Sequence, residues 1–353
     1  MKISFLSFLL FFSTIAFSQF TVRGRITDST SKEPLKAASV FCQNTTLGTT
    51  TNAQGEFSLT LKSGGYDLII SYSGYQTITK RITGEENNLQ IEMARNEKGL
   101  EEVVVQNSNE VKDGWEKYGK FFIENFIGTT PNAASCTIEN PEVLKFYFLK
   151  KSNKLRVLAT EPIAISNKAL GYNLRYQLDT FVYFYNTDIN SYSGYCLFSE
   201  MEGTDMDKRK WIANRKKAYS GSKLQFFRSY YDSTLTEDGW LIDMLDETDD
   251  KKFNKIADPY DTTYYGAVDS TNEVEIWYPR KISVTYIKKK PEPEYLKKMG
   301  MPKIVSTQIS YIDLNDAIII KQNGYYYNQK DWINQGYWSW KNLADLLPYD
   351  YEE

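Results

Sequence analysis

The sequence predicts a β-rich, two-domain protein: an N-terminal β-sandwich followed by an α+β domain with an antiparallel sheet and a helical insertion. Three observations predict it. Short runs alternate apolar and polar residues from Phe20 to Met93 and again after Pro141, the period-2 pattern of half-buried strands. Residues 111–128 and 205–231 change to the helical period. Between the two sets of strands lies an Asn/Glu/Lys-rich join, "MARNEKGLEEVVVQNSNEVKDG". A chain of 353 residues is long enough to give each domain its own core. The boundaries expected are 1–18 for a signal peptide, 19–95 for the sandwich, 96–112 for a linker and 113–353 for the α+β domain.

The signal peptide is read from "MKISFLSFLLFFSTIAFSQF". Lys2 gives a basic start, and Ile3 to Phe17 is an apolar run too short for a membrane span, which needs about 20 residues. Small residues at Ala16 and Ser18 place cleavage after Ser18, leaving Gln19 as the new N-terminus. The first cysteine is Cys42, too distant for a lipid anchor at the cleavage site. No later apolar run reaches spanning length, so the mature chain is expected to be exported without a transmembrane span, to the periplasm or the outer membrane's vicinity.

In the first domain "FTVRGRITD" alternates Phe20, Val22, Gly24 and Ile26 with polar partners, "ASVFC" follows the Pro34 turn, and "EFSLTL" sets Phe57, Leu59 and Leu61 on one face. "YDLIISYS" and "YQTITKRI" flank a Ser73-Gly74 turn, and "NLQIEM" closes the set. About 75 residues make a small domain that leans on its neighbour.

These residues carry a resemblance. "VRGRITDSTSKEPLKAASVF", "TTLGTTTNAQGEFSLTL" and "LIISYSGYQT", with Gly24, Gly55 and Gly74 in order, are similar to the carboxypeptidase regulatory-like domain, a transthyretin-like β-sandwich. Asn52 stands where that family often has Asp. "LEEVVV" at 100–105 resembles the segment that follows this domain in TonB-dependent receptors of a Gram-negative group, but the regularly spaced strands of a large barrel do not follow. In zinc carboxypeptidases the regulatory-like domain is an accessory, and the metal site, held by histidines and a carboxylate, sits elsewhere. Residues from Trp115 to Tyr351 resemble the second half of uncharacterised envelope proteins that carry the same domain, a likeness that brings no activity with it.

After the join, Val103 to Val105 read as an edge strand or as a docking segment for an envelope partner, the former favoured because β-branched triplets usually pair at home. "VKDGWEKYGKFFIENFIG" is a helix with Trp115, Phe122 and Phe126 on one stripe, Tyr118 between them, and Gly128 as its stop. "VLKFYFLKK", "KLRVLAT", "PIAIS", "YNLRYQLDTFVYFYNT" and "GYCLFSEM", the last placed after a Ser-Gly turn, form an antiparallel meander. Strands return in "EVEIWYPRKISVTYIKKK" and "KIVSTQISYIDLNDAIIIKQNGYYY", and a short helix ends the chain after Trp338 and Trp340.

Charge is strongly patterned. Asp205 to Tyr231 carries eight bases and two acids, while Asp232 to Asp250 carries eight acids and no base. Within the first block, Lys208, Arg209, Trp211, Arg215 and Arg228 are the candidate binding residues, for an anionic envelope polymer or an envelope protein. The alternative is a solvated helix pair whose charges meet the acidic block. "DMLDETDDKK" lacks the glycine and glutamate of a calcium loop.

The chain contains no histidine, which removes His-based zinc sites, Ser-His-Asp triads and Cys-His pairs. A formal charge of −3 and no glycine-rich phosphate loop give no reason to expect nucleic acid or a nucleotide cofactor. Of the three cysteines, Cys42 reads as buried, and Cys136 and Cys196 are a pairing that spacing alone leaves open. The expected function is that of an exported, non-catalytic envelope protein with a binding or assembly role, with no cofactor and no metal. Two alternatives stand beside it. One is a glycan hydrolase using two of Glu161, Asp179, Asp188 and Glu200. The other is an accessory factor of an outer-membrane receptor, with 100–105 adding a strand to its partner.

Overall fold

A computed structural model describes residues 19–62, 65–82, 84–96, 109–268, 273–327 and 329–353. The signal-peptide residues and Val103 to Val105 lie outside them. The alternating runs of the first domain become β1 (Gln19–Asp28), β2 (Ser39–Cys42), β3 (Gly48–Thr50), β4 (Glu56–Lys62), β5 (Tyr66–Ser71), β6 (Ile78–Ile82) and β7 (Glu86–Met93). They form two sheets, β4-β1-β7 and β3-β2-β5-β6, antiparallel except for the β1–β7 pair. In β4 every second residue is buried, and Phe57, Leu59 and Leu61 meet Val22, Val40, Leu68 and Ile70 between the sheets. Period-2 alternation delivers one apolar face per sheet, and two such faces make a sandwich. At Gly24 the parallel strand passes so close that a Cβ would lie 2.6 Å from the Leu89 carbonyl oxygen.

The chain then enters a helix, α1 (Gly114–Phe126), which buries Phe122 and Phe126 and leaves Trp115 and Tyr118 half-buried on the same core. It ends where Gly128 was expected to stop it, the Gly128 N–H donating to Ile123 O at 3.0 Å. It packs on a six-stranded antiparallel sheet of β8 (Cys136–Ile138), β9 (Leu144–Leu149), β10 (Lys154–Ala159), β11 (Ile163–Asn167), β12 (Tyr172–Phe184) and β13 (Ile189–Glu200). β11 and β10 share one edge of the long β12, and β13 runs along the other. The hairpin departs from expectation. It turns at Tyr185 to Asp188, and the Ser193-Gly194 pair lies within β13, opposite a register shift between Leu178 and Thr180. A glycine inside a strand marks a bulge as readily as a turn, and the partner strand decides which.

Next come α2 (Asp205–Tyr219), α3 (Lys223–Tyr231) and α4 (Leu235–Asp238), the helical insertion. α2 starts at Thr204, whose side chain accepts from Asp207 N while Asp207 accepts from Thr204 N, a reciprocal cap that also places acid at the positive end of the helix. The last body contains β14 (Trp240–Leu245), β15 (Phe253–Lys255), β16 (Tyr265–Val268), β17 (Glu273–Ile276), β18 (Ile282–Tyr286), α5 (Pro293–Lys298), β19 (Gln308–Leu314), β20 (Ile318–Ile320), β21 (Trp332–Gly336) and α6 (Tyr337–Trp340). Its sheets run β15-β14-β18-β19-β21 and β16-β17-β20. Tyrosines and tryptophans make up much of its core, where Phe226, Trp240, Trp332, Trp338 and Tyr286 pack ring against ring. The residues after 109 therefore gather around two hydrophobic clusters, one on β8 to β13 and one on β14 to β21.

Candidate functional site

The five residues nominated from sequence do not form one surface. Lys208 and Arg209 are exposed on α2, but Trp211, Arg215 and Tyr219 form its buried stripe at a spacing of four. Trp211 Nε1 donates to Lys168 O at 3.1 Å. Arg215 donates to both Glu200 carboxylate oxygens, at 2.8 and 2.6 Å, and to Leu170 O and Gly171 O, while its guanidinium lies 3.7 Å from the centre of the Tyr172 ring. Arg228 donates to Asn323 O and Tyr349 O. These three side chains hold the helices to the sheet and to the C-terminal segment. The charge blocks do not simply meet either: Lys216 pairs with Glu353, Glu247 with Arg280, and Asp246 with Lys252.

The four candidate acids do not gather at one place, although the registers of β10 and β11 on β12 bring Glu161 near Asp179. Glu161 is exposed between β10 and β11, Asp179 sits at the bulge of β12, Asp188 is in the hairpin and Glu200 ends β13 in its pair with Arg215. Asp188 and Glu200 are separated by the full length of β13, roughly 40 Å at about 3.3 Å per residue. A two-carboxylate site needs about 5–10 Å. Cys42, Cys136 and Cys196 are all free thiols, and Cys42 is buried as expected. Among the described residues no group of His, Cys, Asp or Glu is arranged to hold a metal ion.

A concave site forms where the three cores meet. The chain breaks between α2 and α3 at Ser220 to Ser222, with Ser222 Oγ capping α3 by accepting from Gln225 N at 3.1 Å. Beside that break lies a cavity of about 130 Å³. Its wall draws Asn44 from the sandwich, Phe198 from β13, Leu224 and Phe227 from α3, and Tyr326 and Trp338 from the last body. Three lysines and one carboxylate also line it. Lys289 Nζ donates to Lys217 O at 2.7 Å and Ser220 O at 3.1 Å, and Lys341 Nζ pairs with Glu292 at 3.0 Å. Asp345 accepts from Thr130 Oγ1 at 2.7 Å, Asn132 Nδ2 at 2.9 Å and Lys341 Nζ at 3.4 Å. Burial pushes the Asp345 carboxyl up despite these donors. Burial also pushes Glu292 up, but Lys341 beside it and the Tyr337 hydroxyl draw it below the usual carboxylate range.

Lys223 is the exception. It is the first residue of α3, half-buried, and among the described residues no carboxylate or carbonyl pairs with it; its ammonium lies 5.9 Å from the centre of the Tyr326 ring. Burial brings it down to about 8. Sequence reading counted Lys223 among the bases of its block but did not single it out.

The sandwich closes one side of this junction. Its β2–β3 turn is clamped between β13 and the C-terminal segment: Asn44 N donates to Cys196 O at 2.7 Å, Phe198 N to Thr45 O at 2.9 Å and Tyr349 N to Asn44 O at 2.8 Å. Residues 22–105 match the family of the CarboxypepD_reg-like domain. The CarboxypepD_reg-like domain thus contributes more than a tether. The Asp350 carboxylate accepts from Thr46 N at 2.9 Å and from the Thr46 hydroxyl, Tyr325 donates to Asp67, and Arg81 lies 3.4 Å over the Tyr327 ring.

The TonB-dependent receptor SusC of Bacteroides thetaiotaomicron is 35% identical over 104 residues, which is 29% of this chain and 10% of the receptor. The chain thus spans only a tenth of the length of that relative. Among solved structures, a Bacteroides fragilis protein of unknown function aligns at 13% identity over 45% of this chain and 65% of its own, with a TM-score of 0.18. The Bacillus anthracis TIE protein aligns at 13% identity over 53% of this chain and 32% of its own, with a TM-score of 0.19. Scores this low carry no inference about the bodies beyond the CarboxypepD_reg-like domain.

Proposed function

We propose that this chain is an exported envelope protein that binds rather than catalyses, with its CarboxypepD_reg-like domain as a fixed base for the two bodies that follow. The similarity of residues 22–105 to that family and to SusC fits an envelope-associated binding or receptor-related role. The observation that carries the reading is the clamped β2–β3 turn, whose three backbone hydrogen bonds join the domain to β13 and to the C-terminal segment. Each such bond adds about 1 kcal/mol net and fixes orientation as well. A domain held this way positions other surfaces. Accessory service to an outer-membrane receptor is the second reading, favoured by the SusC similarity alone.

Two measurements test the proposal. In cells producing the full chain, the protein is expected in the periplasmic or outer-membrane fraction with an intact mass that begins at Gln19, and immobilised protein is expected to retain a defined envelope protein or anionic polymer. Cytoplasmic retention of the whole chain contradicts export. Turnover of a glycan or peptide polymer by the pure protein, abolished by replacing one acid, contradicts the non-catalytic reading.

A further inference from the structure

We infer that the cavity at Lys223 is a binding site for a small organic monoanion, a single carboxylate carried on a flat, ring-sized apolar body. The inference goes beyond the envelope role and holds or fails whatever macromolecule the protein takes as partner.

Size comes first. A cavity of about 130 Å³ is close to the volume of about 150 Å³ that holds benzene, so one six-membered ring fits. The walls favour the same shape. Phe227, Tyr326, Trp338 and Tyr349 present aromatic surface, and Leu224 and Leu347 present aliphatic surface. An apolar ring loses little on entering such a space.

Charge decides the rest. Lys289 is committed to two backbone carbonyls, Lys341 to Glu292 and Asp345, and Asp345 to three donors. Lys223 lines the same cavity with its ammonium 5.9 Å from the centre of the Tyr326 ring, and no anionic partner pairs with it among the described residues. An unpaired cation against apolar walls is costly for a fold that has no use for it, and a carboxylate in that place completes it. The start of α3 lies at the same point, and a helix N-terminus favours an anion. A dianion is disfavoured, since only one cation is unmatched and the Asp345 carboxylate lines the same cavity. A cationic ligand meets three lysines.

The test uses purified protein with benzoate as the anionic probe and benzamide as its neutral isostere, followed by calorimetric titration and by the shift in melting temperature at pH 7. Benzoate is expected to bind with a dissociation constant in about the millimolar range or tighter, and benzamide about tenfold or more weakly. Lys223→Met is expected to lose about tenfold in benzoate affinity while leaving benzamide unchanged, and Lys223→Arg to retain the preference for benzoate. The probe comparison on the wild-type protein stands even if a variant folds poorly. Equal binding of the two probes, no response to benzoate at about 10 mM, or full benzoate affinity in a folded Lys223→Met protein would each overturn the inference.

Discussion

Replacing Lys223 by Met should make the protein more stable at neutral pH. A lysine ordinarily titrates at 10.5, and burial brings Lys223 down to about 8. The folded state therefore holds the charged form at a cost that at pH 7 is at most about 3 kcal/mol, and the side chain's partial access to solvent reduces this to roughly 1–2 kcal/mol. The groups lining the cavity with Lys223 are Tyr326, Tyr337, Tyr349, Lys289, Lys341 and Asp345. The phenols are all pushed upward by burial, so none supplies a counter-charge below pH 10. The sign follows from linkage. A lysine whose folded value is depressed destabilises fully below about 8, and the cost fades as pH rises toward 10.5. Met has similar length and no charge, so Lys223→Met should gain about 1–2 kcal/mol at pH 7 and about two-thirds of that or less at pH 9.5. Urea unfolding of both proteins at the two pH values reads this directly. A loss of stability at pH 7, or the same gain at both pH values, would refute the reasoning and assign Lys223 a structural partner.

Arg215→Met should destabilise by about 3 kcal/mol in urea unfolding, because it strips the Leu170 and Gly171 carbonyls of a donor and leaves Glu200 unpaired; the low end of the range for a broken buried pair applies because Glu200 is exposed, and a change below about 1 kcal/mol would count against the anchoring role. Gly171→Ala should cost about 1–3 kcal/mol and shift the Trp211 fluorescence, since φ is +70° there and a Cβ would sit on the Trp211 ring; unchanged emission and stability would contradict the packing of α2. Asp28→Asn should flatten the acid limb of the stability profile. Asp28 accepts from the Tyr75 hydroxyl at 2.6 Å and from the Ser31 and Thr30 amides at 2.8 Å, with Arg95 at 3.2 Å, which together hold it far below the usual carboxylate range. Its stabilisation is present above the unfolded value near 3.8 and is lost as pH falls below it, so an unchanged slope between pH 4 and 2 in the variant would contradict this.

Much of the fold was legible because it depends on local period. Alternation located β1, β4 and β12, and the change to the helical period at 205 located α2. The β12–β13 hairpin was misplaced because Ser193-Gly194 has the composition of a turn, while the register that puts it inside a strand belongs to β12. The candidate site was harder. Trp211, Arg215 and Arg228 drew attention as cations beside aromatics, yet 211, 215 and 219 are spaced by four, a helical stripe that signals burial. Read that way, Arg215 is an anchor needing an acid, which Glu200 supplies. The Lys223 cavity could not be read locally, since its wall runs from Asn44 to Tyr349 and exists only after three cores have come together. That the small sandwich would lean on a neighbour was readable from its size, but the turn it leans with was not.

Native-state hydrogen exchange at Asn44 and Phe198 distinguishes a fixed base from a tethered module most directly, because these two amides donate across the junction between the CarboxypepD_reg-like domain and β13. If the domain is a fixed base, both amides should exchange with the same free energy as those of β5 and β12 and open only with the whole molecule. Exchange at both through low-energy local opening, with the β5 core remaining protected, would contradict it.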